Sequence, residues 1–172
     1  MIRLLLAALL TVAACGGTTP SASPTAPVSP TASASPASSV TPDPRPARSA
    51  ALEAAAATWQ AAGIETYGYT LTRSCFCPPE WSGPWAATVI GDLVVVTDSQ
   101  DNPVSDEIVA AIPFTAAALF AYLRSHLADE GFTVTYDAAT GFPTSFALDP
   151  STQIADEEVS FTIENFTTFG VN

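Results

Sequence analysis

The chain has 172 residues, 17 of them acidic against 5 basic, which gives a formal net charge of −12 with no lysine at all. A surface this negative repels nucleic acid and anionic lipid headgroups, so neither is expected as a direct partner. No apolar run approaches the roughly 20 residues of a membrane-spanning helix, and the length suits one domain with one core.

At the start, Met1-Ile2-Arg3 supplies a positive charge, Leu4 to Leu10 an apolar stretch, and Val12-Ala13-Ala14 small residues just before Cys15. That order reads as a signal peptide over residues 1–14. Small residues directly before a cysteine match a lipobox, which predicts a diacylglycerol thioether on Cys15 and attachment to the cell membrane, facing outside the cytoplasm. Removing the leader takes Arg3 with it and leaves Arg45, Arg48, Arg73 and Arg124 against the 17 acids. Membrane contact is therefore expected through the lipid alone.

After Gly16-Gly17, residues 18–48 are almost entirely Thr, Ser, Pro, Ala and Val, with eight prolines from Pro20 to Pro46. Such a composition cannot bury a core. Residues 15–48 are thus predicted to be a lipidated, disordered tether, reaching at most about 90 Å at about 3.1 Å per residue.

Residues 49–172 carry the domain. Ser49 to Ala62 reads as a helix, with Leu52, Ala55, Ala56 and Trp59 at helical spacing and Gly63 as a stop. Thr66 to Cys77 reads as a strand. A Pro/Gly/Trp loop follows, then a hairpin in which Trp85 to Ile90 and Leu93 to Asp98 flank Gly91-Asp92. The run Leu93-Val94-Val95-Val96 reads as buried on both faces. Pro113, then Leu119, Phe120, Leu123 and Leu127 at helical spacing, with Gly131 beyond, mark a second helix. Three alternating strands follow, carrying Phe132, Val134 and Tyr136; Phe146 and Leu148; and Val159, Phe161 and Ile163 on their apolar faces.

Strands with one polar face and few crossover helices favour an antiparallel sheet. The expected fold is α+β, an antiparallel sheet of about six strands with two helices on one face. Gly63-Ile64 and Gly131-Phe132 each lead from a helix into three strands, suggesting a degenerate helix-plus-three-strand repeat. That layout resembles small inhibitory domains of the beta-lactamase-inhibitor type, although a fold does not fix a function.

Tyr67-Gly68-Tyr69 with Cys75-Phe76-Cys77, Tyr136-Asp137 with Gly141-Phe142-Pro143, and Asp149 with Asp156-Glu157-Glu158 together resemble an uncharacterised family of bacterial envelope lipoproteins with a CxC motif. The resemblance covers the chain from about Trp59 onward and implies a domain of unknown function, with no activity attached.

With Cys15 lipidated, Cys75 and Cys77 are the remaining thiols, and an extracytoplasmic location favours their oxidation. On an extended strand their Cα atoms would be about 6.6 Å apart, so a bridge requires a bend, for which Pro78-Pro79 offers the place. Two readings stand: a bridge that pins the strand end, or a strained, reducible redox pair, with Arg73 on the same strand parity favouring a thiolate.

A metal site is not expected. Zinc needs more ligands than two sulfurs, and the single histidine, His126, sits among helical leucines as a partly buried or surface residue. Asp98, Asp101, Asn102, Asp106 and Glu107 form the densest acidic loop but lack the spacing and glycine of a calcium loop. No cofactor motif, nucleophile elbow or histidine-containing triad occurs, so the chain is not read as an enzyme. The expected role is binding or scaffolding in the cell envelope, against an envelope protein or cell-wall partner, with Trp81 and Trp85 as candidate contacts. A thiol-disulfide component and an enzyme inhibitor or sensor are the alternatives.

Overall fold

The computed structural model describes residues 42–170; the expected leader, Cys15 and most of the expected tether lie outside the described residues. The elements run α1 (Arg45–Ala62), β1 (Thr66–Cys75), a 3-10 turn (Pro79–Trp81), β2 (Trp85–Ile90), β3 (Leu93–Thr97), α2 (Asp106–Ala111), α3 (Ala116–Ser125), β4 (Thr133–Tyr136), β5 (Pro143–Leu148) and β6 (Val159–Thr168). The strands form one antiparallel sheet in the order β3-β2-β1-β6-β5-β4, so the fold is α+β as expected.

α1 is alanine-rich, the best intrinsic helix former, and buries Leu52, Ala55 and Ala56 on one stripe. It starts at Arg45, four residues before the expected Ser49. Proline lacks only an N–H that the first turn leaves unused, so Pro46 is accommodated there. The Asp43 carboxylate accepts hydrogen bonds from the Arg45 backbone N–H and from its guanidinium. Gly63 ends the helix in the left-handed region at φ 61°. Farther on, the Arg48 guanidinium donates to the carbonyls of Leu127, Asp129 and Glu130, tying α1 to the approach to β4.

The core lies between the helices and one sheet face. Tyr67, Tyr69 and Leu71 of β1, Trp85, Ala87 and Val89 of β2, and Phe161 and Ile163 of β6 meet Leu52, Phe114, Leu119, Phe120 and Leu123 there. Two tyrosine hydroxyls fasten the sheet to the segment entering α3. Tyr69 Oη donates to the Phe114 carbonyl at 2.5 Å, and the Ala116 N–H donates to Tyr67 Oη at 2.7 Å. Burial pushes both phenols above their ordinary pKa.

The structure departs from the sequence expectations at three places. Asp106 and Glu107 belong to the first turn of α2, not to a loop with Asp98. The run Leu93–Val96 is not buried on both faces: Leu93 is 72% and Val95 61% exposed, whereas Val96 is buried. β3 lies at the sheet edge and the helices cover one face, so alternate residues point away from the core. The two helix-plus-three-strand units also differ in sense, because β1 is central and β4 is at the far edge. Their similar order in the sequence does not give similar positions in the sheet.

Candidate functional site

β1 stops pairing at Cys75, opposite Val159 of β6, and the chain bends through Phe76. The bend brings the Cys75 and Cys77 Cα atoms to 5.3 Å and the two residues are disulfide-bonded. Pro78 is extended and Pro79 opens the 3-10 turn, so the bend and the prolines coincide. Both cysteines are half-buried, whereas Phe76 between them is 83% exposed.

The bridge closes a loop of only three residues. Chain-entropy arithmetic gives such a loop about 1.6 kcal/mol of stabilisation, against about 3 kcal/mol for a fifteen-residue loop. Pinning the strand end therefore makes small use of a disulfide.

Ser82 flanks the pair, and Arg73 shares the strand face of Cys75. The Ser82 carbonyl accepts the Arg73 backbone N–H at 2.8 Å, which folds the loop back and sets Ser82 Oγ 3.7 Å from Cys77 Sγ. Arg73 lies two positions before Cys75 on the same strand face, its Cζ 5.8 Å from the centre of the Phe161 ring. Its buried Nε has no hydrogen-bond partner, and among the described residues it forms no ion pair. Burial raises the Tyr122 phenol, and the Arg73 charge pulls it partly back.

Beside the bridge is an open cleft of about 330 Å³, lined by Ser74, Cys75 and Phe76 together with Asp149, Glu158 and Ser160. Cys75 lines it; Cys77 faces Ser82 instead.

The tryptophans part company. Trp85 is 2% exposed and packs edge-on against Phe114 at 5.8 Å, so it is core and unavailable to a partner. Its strand parity with Ala87 and Val89 puts it on the covered face. Trp81, in the 3-10 turn, is half-buried against the core. His126 is likewise committed within the fold: its Nδ1 is 2.8 Å from Asp129 Oδ2, and its ring rests on Tyr122.

The Asp98 carboxylate is used by its own loop, accepting the N–H groups of Gln100 and Asn102, which hold it below the usual carboxylate range. Among the described residues, no three His, Cys, Asp or Glu side chains gather as a metal site.

The sheet face away from the helices is the other candidate surface. Pairing sets Thr66, Gly68, Thr70, Thr72, Ser74, Thr88, Ser145, Ser160 and Thr162 on it, with Glu164 as the charged residue among these strands. Its β2–β3 corner is apolar: Ile90 pairs with Leu93, Thr88 with Val95, and the Phe169 ring lies over Gly68. This corner escaped the sequence reading. Phe169 lies beyond the expected strand carrying Val159, Phe161 and Ile163, and a run of apolar residues at both parities hides which of them face outward.

A family of unknown function, DUF6174, matches residues 51–168. The chain belongs to DUF6174. The DUF6174 span runs from α1 to the end of β6 and so contains the whole sheet and both bridge cysteines. It agrees with the expected resemblance at the level of a domain of unknown function. No curated protein and no solved structure matches the chain.

Proposed function

We propose that the chain is a lipid-anchored binding module of the bacterial cell envelope, held outside the cytoplasm by diacylglycerol on Cys15, with a DUF6174 domain that meets a protein partner through its open sheet face. The observation that carries this reading is the exposed corner formed by Ile90, Leu93, Val95 and Phe169 on an otherwise hydroxyl-lined face. In a chain of net charge −12, a nearly uncharged face is where another macromolecule can approach without repulsion. Contiguous exposed apolar side chains rimmed by polar ones are the usual mark of an interaction surface. An enzyme held by this face would make the domain an inhibitor or sensor, a special case of the same binding role.

A photo-crosslinking side chain at position 95 in intact cells is expected to give one adduct of defined mass, absent when the crosslinker replaces Ala57 on the exposed side of α1. Identical adducts from both positions, or none, would sink the reading. Lipidation has its own test: an alkyne-labelled fatty acid is expected to label the natural chain and to leave Cys15→Ser unlabelled.

A further inference from the structure

The Cys75–Cys77 bridge has four features that a structural staple does not use. It spans one residue, it is half-exposed at a strand end, one of its cysteines borders a cleft, and the sulfur of the other faces a hydroxyl. We propose that it is an exchangeable disulfide that oxidises a dithiol carried on an extended, basic polypeptide segment lying in the cleft beside Cys75. The cleft shares Ser74 and Ser160 with the open sheet face but lies at the Cys75 end of β1, whereas the apolar corner is on β2 and β3, so the two readings fail separately.

The asymmetry of the two sulfurs sets the order of events. A substrate thiolate approaching from the cleft attacks the sulfur of Cys75, the bridge residue that lines it. The Cys75–Cys77 bond breaks and its electron pair leaves on Cys77 Sγ, toward which Ser82 Oγ is positioned to donate its hydrogen. The substrate is now joined to Cys75 by a mixed disulfide. Its second thiolate attacks its own sulfur in that bond, and Cys75 leaves as a thiolate. The substrate dithiol has become a disulfide, Cys75 and Cys77 have taken up its two electrons, and the two protons of the substrate thiols end on the two cysteines. Exposed Phe76 gives the segment an apolar anchor, and Asp149 and Glu158, which line the same cleft, select for basic residues beside its cysteines.

The test incubates the oxidised full chain, without other oxidants, with reduced peptides in which a Cys-x-x-Cys pair is flanked by lysines or by glutamates, and follows peptide disulfide by mass. The expected result is one peptide disulfide formed per protein, with the lysine-flanked peptide reacting roughly ten-fold faster at low salt. Ser82→Ala is expected to slow the reaction about ten-fold, the loss of one hydrogen bond to a charged group. The double variant Cys75→Ala/Cys77→Ala, checked for a cooperative unfolding transition, is expected to leave the peptide reduced. Peptide that stays reduced with the natural chain, or equal oxidation with the double variant, overturns the proposal. An unchanged rate in Ser82→Ala overturns Cys77 as the leaving sulfur.

Discussion

Two tyrosine hydroxyls have opposite situations, and the contrast is testable. Tyr69 Oη donates to the Phe114 carbonyl inside the core, whereas Tyr136 Oη is buried with no partner. Tyr69→Phe is therefore expected to cost about 1–2 kcal/mol in urea unfolding, because it strands a buried carbonyl. Tyr136→Phe is expected to be neutral or stabilising by up to about 1 kcal/mol, since it removes a desolvated hydroxyl that gains nothing. Gly141 is a third sensitive position. Its φ is 74°, and a Cβ there would run into the Ala55 carbonyl of α1. Gly141→Ala is expected to cost about 3 kcal/mol or more, read as a lower urea midpoint with unchanged slope. The sequence marked Tyr67, Tyr69 and Gly141 as a pattern. It could not supply their partners, which come from segments far away in the chain.

The elements themselves were legible wherever one periodicity dominated. β1 with its alternating Tyr67, Tyr69 and Leu71, and α3 with Leu119, Phe120 and Leu123, appear near where they were expected. α2 was hidden because Ser105, Asp106 and Glu107 suit a polar loop as well as a helix start, and the helix is only six residues long. β3 misled for the opposite reason, since a run of valines carries no alternation. Its two faces can be told apart by mutation. Leu93→Thr and Val95→Thr are expected to change stability by no more than about 0.5 kcal/mol. Val96→Ala, on the buried face, is expected to cost about 2 kcal/mol, the difference being measured by thermal or urea unfolding. The bridge was anticipated only as two alternatives, because spacing cannot show that one cysteine borders a cleft and the other faces a serine. Trp85 shows the limit of composition: a tryptophan beside Pro and Gly suggested a contact, but the parity it shares with Val89 buries it.

At the scale of the molecule, pH links the buried phenols to stability. Tyr67, Tyr69, Tyr122 and Tyr136 all have pKa values raised by burial, Tyr136 to about 12, above the ordinary value of 10. Above pH 10 the unfolded chain releases protons that the folded one keeps, so their contribution is full below pH 10 and is lost as pH rises toward the folded values. The melting temperature is expected to fall steeply above pH 10, with tyrosinate absorbance appearing together with loss of the near-ultraviolet circular dichroism signal. Tyrosinate that appears at pH 10 while the fold persists would contradict this. The strand order has a consequence of another kind. The sheet's central seam joins β1 to β6, whose residues are separated by most of the domain sequence. A chain emerging amino end first can close the β1–β2–β3 meander early, but Tyr67, Tyr69 and Leu71 stay without their β6 neighbours until that strand arrives. Folding of such a topology is paced by a long loop closure. Until then the β1 edge of the half-sheet has no partner, and truncation anywhere before Val159 is expected to leave it open, read as faster cleavage by an added protease.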